Sequence, residues 1–103
     1  MGMQLKAGVK ISGIRPEVVL ALGVAADIYQ KYFGTVMTVT SVMDGVHKVG
    51  SKHYTGHAAD LRIWGLEGKI AAIVEALRAA LGEDFDVIPE GDHIHLEFDP
   101  KGN

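Results

Sequence analysis

Apolar positions along this chain fall into blocks with distinct periods. From Pro16 to Phe33 they are dense, with Val19, Leu20, Leu22, Val24, Ile28, Tyr32 and Phe33. Pro16 suits the first position of a helix, where its missing N–H would have no partner anyway, and Gly34 suits a helix stop. A helix is expected over 16–33. "TVMTVTSV" (35–42) alternates and is rich in β-branched residues, which predicts a strand. "MDGVHKVGSKHYTGH" (43–57) has no period and three glycines, and reads as a long loop. "AADLRIW" (58–64) reads as a second strand. In "LEGKIAAIVEALRAALG" (66–82), Ile70, Ile73, Val74, Leu77 and Leu81 recur at helical spacing, so an amphipathic helix is expected. "FDVIPE" (85–90) and "DHIHLEF" (92–98) read as two short strands around a tight turn at Gly91. The polar tail "DPKGN" (99–103) is expected to fray.

Helix, strand, loop, strand, helix and hairpin make an α+β order. The expected architecture is a small, mostly antiparallel sheet with helices packed on one face, which leaves the other face free for a cleft. At 103 residues the chain falls in the usual range for one domain, so 1–103 is read as a single unit.

Composition narrows the function classes. With 48% hydrophobic and 22% charged residues, the chain reads as globular. The net charge is −3 and there is no basic stripe, so nucleic acid is not an expected partner. The longest apolar run, "VVLALGVAA" (18–26), is too short to span a bilayer, and the N-terminus lacks the apolar segment of a secretory signal. The expectation is a monomer made in the cytoplasm, with no membrane partner. Cysteine is absent, which excludes a disulfide framework and any thiolate metal site.

A metal site must then be built from His, Asp and Glu, and two stretches concentrate them. The first is "GSKHYTGHAAD" (50–60). His53 and Asp60 could supply two ligands, with Gly56 allowing a sharp reversal between them and Ala58 and Ala59 leaving space beside the ion. The second is "EGDHIHLEF" (90–98). His93 and His95 lie two apart, so on a strand both point to one face. One could ligate while the other touches substrate.

At these residues a resemblance enters. "SKHYTGHAAD" is similar to the pattern S-x-H-x-x-G-x-A-x-D of zinc peptidases that cleave peptidoglycan peptides. These are the D-alanyl-D-alanine carboxypeptidases and dipeptidases and the related phage L-alanyl-D-glutamate endopeptidases. Ser51, His53, Gly56, Ala58 and Asp60 meet all five fixed positions. "DHIHLEF" resembles the second motif, an H-x-H on a strand, and the resemblance runs from about residue 12 to 98. It implies a fold shared with the Hedgehog signalling domain, with a zinc cleft in which His53, Asp60 and His95 hold Zn2+. It also implies that Asp92, three positions before His95, is the catalytic base, with Glu90 as its rival. His93 would bond substrate or a developing oxyanion. His57 is a neighbour and not a ligand, and Ser51 supports the loop at the substrate side.

In one place the chain departs from the family. Members often carry an arginine shortly after the first strand, whereas this stretch reads "TSVMDGVH", with Met43 and Asp44 in that region. His47 is the candidate for a substrate contact there, because "DGVH" resembles the matching loop of the Hedgehog domain. Arg62 shares the face of Asp60 but is not expected to replace the missing group. Two functions follow. One is a zinc peptidase acting on peptidoglycan stem peptides, of bacterial or phage origin and acting on the cell wall if released. The other is a zinc-stabilised binding module of the same fold.

Overall fold

The computed structural model describes residues 2–45, 47 and 49–101. In chain order the elements are β1 (Met3–Leu5), α1 (Pro16–Phe33), β2 (Met37–Ser41), a 3-10 turn (Lys52–Thr55), β3 (Ala58–Arg62), α2 (Ile70–Leu81), β4 (Phe85–Glu90) and β5 (His93–Phe98). The strands form one five-stranded mixed sheet in the order β1-β2-β3-β5-β4. β1 runs parallel to β2, and the other three pairings are antiparallel.

Strand alternation divides this sheet into a dry face and a polar face. Leu61 pairs with Ile94, and Ala59 with Leu96, which in turn pairs with Val87. All five are buried and join Met37 and Val39 in one core with residues of both helices. The intervening positions carry polar groups: Arg62 opposite His93, Asp60 opposite His95, and Ala58 opposite Glu97. The helices pack on the dry face, as the element order suggested.

α1 begins with Pro16 at its first position and stops at Gly34, whose φ of 65° only glycine adopts cheaply. Its sequence is apolar nearly all round, so periodicity alone did not show which side is buried. The buried side is the small-residue side: Val18, Ala21, Leu22, Ala25 and Ala26, continuing to Ile28 and Tyr29. Val19, Leu20, Val24 and Tyr32, counted as apolar helix positions, are exposed instead. Alanines let the helix lie close to the sheet, and bulkier side chains at those positions would hold it off.

Four boundaries differ from the sequence reading. β2 covers 37–41 and not 35–42, and β5 starts at His93 because Gly91 and Asp92 form the hairpin turn. β3 ends at Arg62, because Trp64 and Gly65 turn the chain, Gly65 at φ 77°. α2 starts at Ile70 and not at 66, because Gly68 sits at φ 87°, outside the right-handed helix. β1 was not expected at all. Its three residues are exposed and have no alternation to read. The expected fraying of the tail falls partly on Gly102 and Asn103, outside the described residues. Lys101 is tied down, its backbone N–H donating to Asp84 and its ammonium lying 3.0 Å from Asp86. Among the described residues no helix is long and apolar enough to cross a membrane.

Leu61 is fully buried at the centre of the dry face, whereas Leu20 on α1 is 73% exposed. Leu61→Ala is expected to cost about 2–5 kcal/mol, and Leu20→Ala to stay within about 0.5 kcal/mol, in urea unfolding followed by circular dichroism.

Candidate metal centre

The centre of the polar face is Asp60, and its carboxylate is nearly buried there. A buried carboxylate needs partners, and histidines surround this one. His53 Nε2 lies 3.1 Å from Asp60 Oδ1, His95 Nδ1 lies 3.1 Å from the same oxygen, and His93 Nε2 lies 3.6 Å from it. His93 and His95 reach it because β5 lies beside β3, with His95 directly opposite Asp60 and His93 two pairs further along, on the same face.

His53 arrives differently, from the 3-10 turn. Ser51 caps that turn, its hydroxyl accepting the backbone N–H of His53 at 3.2 Å. So Ser51 shapes the loop here and makes no contact with Asp60. At the other end Gly56 adopts φ 76°, and a Cβ placed on it would lie 2.1 Å from the carbonyl oxygen of Gly13. The Gly56 carbonyl also accepts the backbone N–H of Arg15, at 3.0 Å. The segment between His53 and Asp60 is thus clamped against the entry to α1.

Hydrogen bonding fixes which nitrogen of His53 faces Asp60. Its Nδ1 lies 2.8 Å from the Val42 carbonyl. A carbonyl only accepts, so Nδ1 carries a proton and Nε2 is the atom turned to the carboxylate. This is the arrangement of a metal-ligating histidine oriented by a backbone carbonyl. The other two rings also meet acceptors at both nitrogens. His95 Nε2 lies 3.0 Å from Glu97. His93 Nδ1 lies 2.6 Å from Asp92, and its Nε2 lies 3.1 Å from Glu90.

So three imidazoles converge on one carboxylate oxygen, and each faces oxygen acceptors on both sides. A neutral imidazole can donate only once. The cluster therefore calls for positive charge, from added protons or from a cation. Burial raises the pKa of Asp60, but hydrogen bonds from His53 and His95 outweigh it and hold the carboxyl well below the usual carboxylate range. The hydrogen bond to Asp60 pushes His95 up to about 9 against the opposing effect of burial, with Glu97 adding to the rise. For His93, burial pulls downward, but hydrogen bonds to Asp92 and Glu90 and the charge of Asp60 leave it raised.

His47 takes a place that the sequence did not suggest. Its ring stacks on that of His53, with centroids 3.9 Å apart and planes 4° from parallel. Donor atoms of His47, His53 and Asp60 all lie within 4.8 Å of one another, so this trio could hold a metal ion. His47 was expected to contact substrate. Its Nε2 lies 2.9 Å from the Asp44 carbonyl and 3.2 Å from the Ser41 hydroxyl. In the sequence, only the resemblance of "DGVH" to the Hedgehog loop pointed to this ring. His57 bonds Thr55 and stacks on Phe98, with no contact to Asp60.

The two candidate bases separate. Asp92 sits in the hairpin turn with its side chain 92% exposed, on the Nδ1 side of His93. Glu90 lies on the Nε2 side, which faces Asp60.

A scan against protein-family models finds no match for this chain, and no curated protein matches it.

Gly56→Ala is expected to cost roughly 2–4 kcal/mol, combining the left-handed φ with the clash on Gly13. The check is thermal and urea unfolding. Gly50→Ala is the control, because its Cβ would enter open space and only the φ of 83° is penalised.

Proposed function

We propose that this chain is a zinc-dependent metallopeptidase hydrolysing peptide bonds in peptidoglycan stem peptides, with the Hedgehog-type fold that its motifs resemble. The observation that carries the metal half of this reading is the set of three imidazoles around Asp60 Oδ1, each facing acceptors at both nitrogens. The peptidase half rests on the five matched positions of "SKHYTGHAAD" and on the H-x-H of β5.

The donor set suits zinc, which takes imidazole nitrogen and carboxylate oxygen. The resemblance assigns it to His53, Asp60 and His95, while His47, His53 and Asp60 are the trio whose donor atoms lie within 4.8 Å of one another. When bound, zinc supplies Lewis acidity, which lowers the pKa of water and polarises a carbonyl. Around it the protein's own groups divide the proton handling. Asp92 accepts the Nδ1–H of His93 and so orients that ring, leaving Nε2 toward Asp60 and Glu90. With a proton on Nε2, His93 is a donor for an oxygen that gains charge beside Asp60. In that state the base role falls to Glu90; with Nε2 unprotonated it falls to Asp92 acting through His93.

Metal analysis of the purified protein comes first. Zinc is expected to bind, and His95→Ala is expected to weaken it beyond the roughly 100-fold that loss of an outer partner costs. His47→Ala is expected to fall within that range. Absence of zinc, with no binding on titration, would end the metal reading.

Stem peptides incubated with the zinc-loaded protein then test catalysis. Asp92→Asn is expected to lower kcat by about 10²–10⁴-fold with zinc content unchanged. If Glu90→Gln shows that loss and Asp92→Asn does not, the base is Glu90. One observation favours a second reading, a zinc-stabilised binding module: Asp92 lies exposed in the turn, with the His93 ring between it and Asp60. Wild-type protein that binds zinc tightly and leaves every stem peptide intact would decide for that module.

A further inference from the structure

A cavity of about 280 Å³ opens beside the histidine cluster, lined by Lys6, Thr40, Arg62, Trp64, Asp92 and His93. It shares His93 with the cluster and lies along the next step of the same strand. Arg62 follows Asp60 by two positions on β3, so its Cα is about 7 Å further along the same face.

Three features mark this cavity for an anion. First, it brings together two cations, Lys6 from the segment after β1 and Arg62 from β3, and among the described residues neither side chain makes an ion pair or a hydrogen bond. Second, Arg62 Nε is buried with no hydrogen-bond partner. Such an atom is costly to bury, and a carboxylate supplies the acceptor that this guanidinium lacks. Third, the guanidinium is held in place: its carbon lies 3.7 Å from the centre of the Trp64 ring. Stacking fixes the plane of the guanidinium while its edge stays free to donate. The one carboxylate at the cavity, Asp92, is engaged by His93 Nδ1 at 2.6 Å.

We infer that the cavity formed by Lys6, Arg62 and Trp64 is a subsite for a carboxylate of the ligand whose scissile or bound group sits at Asp60. This deepens the peptidase reading and rests on it for the placement of the ligand, though not for the binding of the carboxylate. In a peptide the carboxylate has two sources, a free C-terminus or an acidic side chain. Both present the same planar pair of oxygens to a guanidinium.

Trp64 is the only tryptophan of the chain, so its fluorescence reports on the stacked Arg62. Three probes are titrated into the protein with and without zinc: D-alanyl-D-alanine, its C-terminal amide, and L-alanyl-D-glutamic acid α-amide, whose carboxylate is on the side chain. At least one of the two carboxylate probes is expected to change Trp64 emission saturably, and the one that binds identifies the source. The full amide is expected to bind at least about ten-fold more weakly, in line with loss of a charge-assisted bond. Arg62→Met, which keeps the stem against Trp64, and Lys6→Met, at an exposed position, are each expected to weaken the bound probe by a similar factor and to leave zinc affinity unchanged.

Equal binding of acid and amide overturns the subsite, as does unchanged binding in both variants or no binding of either acid. Carboxylate binding that depends on Arg62 in a protein that takes no zinc would keep the subsite and remove the metal reading.

Discussion

A buried carboxylate at the centre of a sheet face is the constraint on which the rest depends. Leaving such a charge without partners would cost several kcal/mol. Asp60 avoids this only because β5 lies beside β3 in one register, with His95 opposite it, and because the 3-10 turn brings His53 to the same oxygen. Register, turn and cluster are therefore one problem. Because strand side chains alternate, a slip of one residue on β5 would turn His93 and His95 into the core and Ile94 and Leu96 out to solvent. The dry and polar faces lock each other. The apolar face supplies most of the driving force, and the polar face penalises every alternative pairing.

The approach of His53 shows how far the constraint extends. Its Nδ1 is held by the Val42 carbonyl, at the end of β2. Its backbone N–H is held by Ser51. The glycine that follows its turn is pressed against Gly13, in the segment that leads into α1. Three separate parts of the chain thus fix one imidazole. Such redundancy keeps a side chain in place whether or not anything is bound to it, so little ordering remains to be done when a ligand arrives.

Much of this could be read in the sequence, for identifiable reasons. Helix α2 and the β4–β5 hairpin follow from strong periods and from Gly91. The convergence of His53, Asp60 and His95 was implied by the resemblance of the two motifs to the zinc peptidases, and His53 and His95 both lie 3.1 Å from one oxygen of Asp60. Other features were hidden. β1 is three exposed residues whose pairing with β2 is long-range, and no local pattern encodes it. The buried side of α1 is chosen by alanines, which carry almost no periodic signal. His47 lies next to His53 because a loop folds back, and its stacking is a tertiary fact. Arg62 was visible as a neighbour of Asp60, but the cavity beside it needs Lys6, far away in sequence and carried by the strand that could not be foreseen.

That last dependence links the edge of the sheet to the centre of its polar face. β1 is too short and too exposed to contribute much stability, and its side chains bury little. Its effect is to continue the sheet past β2, which carries Lys6 toward Arg62 on the polar face. The backbone N–H of Lys6 donates to the Val39 carbonyl, so the anchor is a main-chain bond, and among the described residues the ammonium makes no ion pair or hydrogen bond. An edge strand of this kind has a positional role, and the charge that it delivers matters more than the surface that it covers. The same logic applies to the hairpin turn. Asp92 sits exposed beside Gly91, and there its carboxylate accepts a hydrogen bond from the Nδ1–H of His93, which leaves the other nitrogen toward Asp60. At both rims of the polar face, residues that stabilise little determine which charged groups face the centre.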